Sequence, residues 1–134
     1  MEVKTITLPL HGDATGNLVA VESVKDVPFE IKRIYYITAT DGKVRRGFHA
    51  HKELKQVLFC PRGSCTILLD DGYEKTDVVL DKPNVGLVID RVLWREMYNF
   101  SDDAVLLALV SDYYTEDDYI RNYDDFLRYV REGK

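Results

Sequence analysis

Arg45-Arg46-Gly47-Phe48-His49-Ala50-His51-Lys52-Glu53-Leu54-Lys55-Gln56 holds two of the chain's three histidines, one residue apart. On a β-strand successive side chains alternate between faces, so both imidazoles project to the same side, and Gly47 on that face leaves open space beside them. Histidine is the side chain whose unperturbed pKa lies nearest neutrality, and it serves as proton carrier or metal ligand. A same-face pair on one strand suits either role.

The flanking sequence places this strand in an all-β domain. Short apolar runs are separated by glycine- or proline-bearing turns nearly as far as residue 110. Thr5 to Leu10 alternates, His11-Gly12-Asp13 and Thr15-Gly16-Asn17 turn, and Leu18 to Ser23 reads as a strand. Further strands are expected over Ile31–Ala39, His49–Lys52, Gln56–Cys60, Cys65–Leu69, Thr76–Leu80, Gly86–Ile89, Leu93–Phe100 and Ala104–Ser111. Asp70-Asp71-Gly72 marks a hairpin. Many short strands at regular spacing predict a sandwich or barrel. After residue 114 the period changes. Ile120, Tyr123, Phe126, Leu127 and Val130 recur at helical spacing, and Thr115 with Glu116, Asp117 and Asp118 reads as an N-terminal cap. A helical tail over 115–132 is therefore expected to close over a sheet, its tyrosines serving packing.

With 134 residues, the chain is expected to form one domain, 1–134. A net charge of -5 argues against nucleic acid as a main partner. No apolar run is long enough to span a membrane and no signal peptide is visible, which predicts a cytoplasmic protein without a membrane partner. Cys60 and Cys65 flank a turn and read as free, packed thiols.

The spacing around the histidines resembles the first motif of the cupins, which are small jelly-roll barrels: His49-Ala50-His51, four residues, Gln56, six residues, Gly63. The second cupin motif corresponds to Trp94-Arg95-Glu96-Met97-Tyr98-Asn99, with arginine where histidine is usual. The four positions that carry ligands in metal-binding cupins thus read His49, His51, Gln56 and Arg95. A permanent guanidinium charge at one corner repels a divalent cation, so no metal and no other cofactor is expected. What remains is a pocket suited to proton transfer on a polar, anionic substrate. In the strand before it, alternation puts Arg33 and Tyr35 on one face, where Tyr35 joins the histidines and Arg33 holds a phosphate. Arg45, Arg46 and Lys52 form a basic cluster of the kind a diphosphate needs.

The likeness then narrows. Ile31-Lys32-Arg33-Ile34-Tyr35-Tyr36-Ile37, Arg46-Gly47-Phe48-His49-Ala50-His51-Lys52, Leu69-Asp70-Asp71-Gly72, Ser111-Asp112-Tyr113-Tyr114 and Asp118-Tyr119-Ile120-Arg121-Asn122-Tyr123-Asp124 resemble the WxcM-like sugar-nucleotide 3,4-ketoisomerases. The resemblance covers residues 4 to 129. It implies a metal-free jelly roll, usually a homodimer, acting on dTDP-4-keto-6-deoxyglucose in pathways to dideoxyaminosugars. It further implies His49, His51 and Tyr35 as catalytic groups. Arg33, Arg46, Lys52, Gln56, Arg95, Asn99 and Thr15 are the expected substrate-binding residues. Two positions bear on the configuration at C4 of the product. Arg95 favours the gluco form, whereas Thr15 replaces the arginine or tyrosine expected before the Gly16 turn, so the configuration stays open. The competing readings are a metal-dependent cupin using His49, His51 and Gln56, a non-catalytic sugar-nucleotide-binding cupin, and a 3,5-epimerase of the same fold.

Overall fold

The computed structural model describes residues 1–133. Two five-stranded antiparallel sheets lie face to face, in the arrangement of a cupin jelly roll. One sheet orders β1 (Lys4–Thr7), β9 (Val85–Ile89), β6 (Gln56–Arg62), β11 (Val105–Val110) and β4 (Arg33–Ile37). The other orders β12 (Tyr119–Ile120), β5 (Arg46–His51), β10 (Trp94–Tyr98), β7 (Cys65–Asp70) and β8 (Lys75–Leu80). A small separate hairpin pairs β2 (His11–Asp13) with β3 (Gly16–Leu18).

Three apolar clusters follow from strand alternation. Leu58, Cys60, Ile67, Leu69, Leu87, Ile89, Leu106 and Ala108 fill the space between the sheets. Cys60 and Cys65 are both buried free thiols in that layer. The opposite face of β6 presents Val57 and Phe59, which gather Leu8, Val27, Val88 and Leu109. With both faces covered, β6 reads as an unbroken apolar run rather than an alternating one.

The segment expected as a strand at Leu18–Ser23 joins no sheet beyond Leu18. Val19 and Val21 instead cover the outer face around Phe59 and Val57. Val24 then takes a left-handed backbone (φ 69), and a turn closes with Val24 N–H donating to Phe29 O. The alternation was that of a lid over apolar residues, which has the same sequence period as a paired strand.

The tail also differs from a single helix over 115–132. Thr115 makes no capping bond, Glu116–Asp118 form one tight turn, and β12 pairs with β5 through Tyr119 opposite His51 and Ile120 opposite Ala50. The α-helix α1 runs only over Tyr123–Glu132. Its cap is Asn122, whose side chain accepts from Asp125 N–H, and left-handed Gly133 closes the other end. Helical spacing in the apolar residues could not reveal that residues 119 and 120 are claimed by the sheet edge. Phe126 of α1 packs with Trp94, Ala50 and Ile120 on the outer face of the second sheet, directly behind β5. None of the described helices is long and apolar enough to cross a membrane.

Phe126 is fully buried among Ala50, Trp94 and Ile120, so its truncation would leave a cavity in that cluster. Phe126→Ala is expected to destabilise the fold by about 3–5 kcal/mol, measured by urea denaturation.

Candidate active site

β5 brings the histidines together through an irregularity that periodicity does not show. Its pairing with β10 jumps from His49 opposite Arg95 to Gly47 opposite Glu96, leaving Phe48 as an extra residue. Gly47 (φ +95) and Phe48 (φ 57) both have left-handed backbone, which makes this a β-bulge. The expectation that Gly47 leaves open space beside the rings is corrected here. A Cβ on Gly47 would lie 2.9 Å from Arg95 O, so glycine serves the close approach of β10 and the turn of the chain.

Beyond the bulge the strand is regular, and the two imidazoles share a face. Their centroids lie 4.9 Å apart, with the rings edge to face at 82°. Tyr119 lies against both, 5.1 Å from His49 and 4.4 Å from His51. Each ring has a fixed partner on Nδ1. His49 Nδ1 is 3.1 Å from Gly47 O, and His51 Nδ1 is 3.0 Å from Asp118 Oδ2. A carbonyl oxygen and a carboxylate can only accept, so in each neutral ring Nδ1 carries the proton and Nε2 is the bare base. His51 Nε2 is buried and has no partner among the described residues.

Beneath the rings lies Arg95, completely buried, with Nη1 donating to Gln56 Oε1 at 2.5 Å and Nη2 to Leu93 O at 3.0 Å. Gln56 Nε2 in turn donates to the Tyr35 hydroxyl oxygen at 3.0 Å. Tyr35 therefore keeps its own O–H free to donate. Burial lowers the Arg95 pKa to about 10, which leaves the guanidinium positive at neutral pH. Burial first, and the Arg95 charge second, lower His49 to about 4 and push His51 well below the ordinary histidine range. Burial raises Tyr35 above the ordinary phenol value.

His49 and Tyr35 line an open cavity of about 360 Å³, with Arg33, Arg46, Tyr119 and Arg121 around them. Arg33 lies over the Tyr35 ring at 5.3 Å, and its buried Nε and Nη2 have no partner among the described residues. Arg121 stacks 4.1 Å above Tyr119 and is bonded twice to Glu116, which also accepts from the Tyr114 hydroxyl. That double bond from Arg121 holds Glu116 down to about 2.

The structure thus gathers Arg33, Tyr35, Arg46, His49 and, beneath the cavity, His51, Gln56 and Arg95. Three expected residues lie elsewhere in this chain. Thr15 sits in the exposed β2–β3 hairpin with its hydroxyl donating to Asp13. Asn99 follows β10 beside Gly42 and Tyr98, around a different cleft. Lys52 follows the histidine strand and lines two other cavities, one with Asp118 and Tyr129 and one with Tyr119, Arg121 and Tyr129. Arg45 of the basic cluster pairs with Glu96 at 2.7 Å and stacks on Tyr98. Sequence reasoning missed Tyr119, Arg121 and Asp118: it reads the tyrosine as packing and Asp118 as part of an acidic first turn, and gives Arg121 no role. Their signal was the two-residue period of Tyr119 and Arg121, hidden inside a helical pattern.

A jelly roll with an imidazole pair over a buried guanidinium defines a cupin-type site in which arginine stands at a usual metal corner. The chain belongs to the family described as FdtA: WxcM-like, C-terminal, which it matches over residues 1–131. It is 52% identical over 130 residues to the TDP-4-oxo-6-deoxy-alpha-D-glucose-3,4-oxoisomerase of Aneurinibacillus thermoaerophilus, covering 97% of this chain and 94% of that protein. The WlaRB TDP-quinovose 3,4-ketoisomerase of Campylobacter jejuni superposes with a TM-score of 0.89 at 52% identity, covering 94% of this chain and 97% of that one. A histidine-to-asparagine mutant of the 3,4-ketoisomerase QdtA from Thermoanaerobacterium thermosaccharolyticum, in complex with TDP-4-keto-6-deoxyglucose, superposes with a TM-score of 0.95 at 44% identity. There 97% of this chain and 94% of that one are covered. The chain is an isomerase of this kind.

The depressed histidines make stability depend on pH. Below pH 6.5 the unfolded chain binds protons that folded His49 refuses until about pH 4. The histidine contribution is therefore complete above pH 6.5 and is lost as pH falls from 6.5 through about 4. Thermal melting across this window should show a falling midpoint, and His49→Asn should flatten part of the slope.

Proposed function

We propose that the chain is a metal-independent 3,4-ketoisomerase of a dTDP-linked 4-keto-6-deoxyhexose, moving the carbonyl from C4 to C3 through an enediol. The carrying observation is the imidazole pair with both Nδ1 positions fixed, one member facing a cavity that Tyr35 and three arginines line. Its relatives' names and the TDP-4-keto-6-deoxyglucose bound to one of them support the substrate.

The proton steps follow from placement. His49, which lines the cavity, takes the C3 proton on Nε2 as the C3–C4 double bond forms and O4 gains a proton. C4 is then protonated as O3 gives up its proton and becomes the carbonyl oxygen. Tyr35, free to donate its hydroxyl, and His51, with an unpartnered Nε2, serve the two oxygens. Positioned groups of this type contribute roughly 10²–10⁴-fold each. Arg33, Arg46 and Arg121 supply charge for the diphosphate.

The donor set does not suit a divalent ion. Gln56 spends its oxygen on Arg95, and the positive guanidinium occupies the remaining corner. Arg95 also cannot deliver a proton to C4 at neutral pH, which supports the gluco-configured 3-keto product. Ile34 and Tyr36, exposed on edge strand β4, support pairing with a second copy. The product fits routes to dideoxyaminosugars.

Incubation with dTDP-4-keto-6-deoxyglucose in deuterated water should give a 3-keto sugar labelled at C4, read by NMR. A carbonyl remaining at C4, with label at C3 or C5, would point to epimerisation instead. His49→Asn should lower kcat by roughly 10²–10⁴-fold while dTDP binding stays within about tenfold.

A further inference from the structure

We infer that Asp118 is a positioning residue for this isomerisation, its buried carboxylate holding His51 in the Nδ1–H tautomer so that Nε2 stays a bare proton acceptor. This rests on the isomerase reading above and adds to it a group outside the cavity that His49 and Tyr35 line.

Asp118 reaches His51 from a distant part of the chain. The tight turn Glu116–Asp118 feeds β12, and the pairing of Tyr119 with His51 brings the two residues side by side. Oδ2 accepts from His51 Nδ1 at 3.0 Å and from Leu54 N–H at 3.4 Å, while Oδ1 accepts from Glu53 N–H at 2.8 Å. The Asp118 carbonyl accepts from Lys52 N–H at 2.9 Å. The carboxylate is thus aimed by backbone groups that cannot move independently of the strand carrying His51. Every group pointed at its oxygens is an N–H donor, and a carboxylate acceptor at Nδ1 leaves the ring one neutral tautomer.

A purely structural clamp would need only an acceptor for the two backbone amides. Asn at 118 keeps an acceptor for Glu53 N–H, but its amide N–H₂ would face Nδ1 and drive the ring proton to Nε2. That difference separates the two roles. Asp118 also borders a second cavity of about 340 Å³, with Lys52, Ser111 and Asp117, through which a small carboxylate can enter.

The test reads the ring directly. In ¹⁵N-labelled wild-type protein, His51 should show a protonated Nδ1 and an unprotonated Nε2, and Asp118→Asn should reverse them. In the same variant kcat should fall roughly 100-fold or more with TDP affinity within about threefold. Should that variant not fold, Asp118→Ala is the second test: formate should restore part of its lost turnover, and chloride should not. A wild-type His51 protonated on Nε2 overturns the inference, as does Asp118→Asn turning over within threefold of wild type. The spectrum is taken without substrate, so a failure of wild type to isomerise the sugar would strike the isomerase reading alone.

Discussion

The Arg95 guanidinium, positive and without solvent, sits under the site and is the constraint to which its other groups adjust. It is compensated by neutral oxygens, Gln56 Oε1 and Leu93 O, rather than by a carboxylate. Burying a charge this way is costly unless hydrogen bonds replace its water, and Arg95 Nε lacks even that. Burial lowers the pKa of both histidines and the Arg95 charge lowers it further, while the Gln56 amide fixed by Arg95 meets the Tyr35 hydroxyl. One buried cation therefore reinforces what burial does to the two rings and fixes the amide beside Tyr35.

Strand β5 supplies the geometry that this electrostatic arrangement requires. The bulge at Gly47 and Phe48 bends the strand toward β10, and Gly47 O becomes the partner of His49 Nδ1. On the other edge, β12 delivers Asp118 to His51 and Tyr119 to the face of both rings. Behind the strand, Phe126, Trp94 and Ile120 press on Ala50 and leave it no room to shift. The short C-terminal helix is thus a brace for the strand that carries the site.

Much of this was legible in the residues. The same-face relation of His49 and His51 and the partnership of Arg33 with Tyr35 depend on strand periodicity alone, while the resemblance to the cupin motifs is what singled out Gln56 and Arg95. Where periodicity was ambiguous, the reading went astray. Val19 and Val21 alternate as a strand does but cover a face, and the apolar spacing after residue 119 hid two residues of strand. Lys52 is adjacent to His51 in sequence, and only the folded chain shows that it lines one cavity with Asp118 and another with Tyr119 and Arg121. Spacing also gave no means of pairing Asp118 with a histidine 67 residues away.

By itself the sequence determined an all-β domain and the histidine strand, because alternation is a local property, and the cupin resemblance of its motifs narrowed that domain to a jelly roll. Only the tertiary structure decided the tautomers, the depressed histidine pKa values and the membership of the cavity. Those depend on which distant groups meet in a dry interior, where one carboxylate or one guanidinium a few ångströms away outweighs the intrinsic preference of the ring.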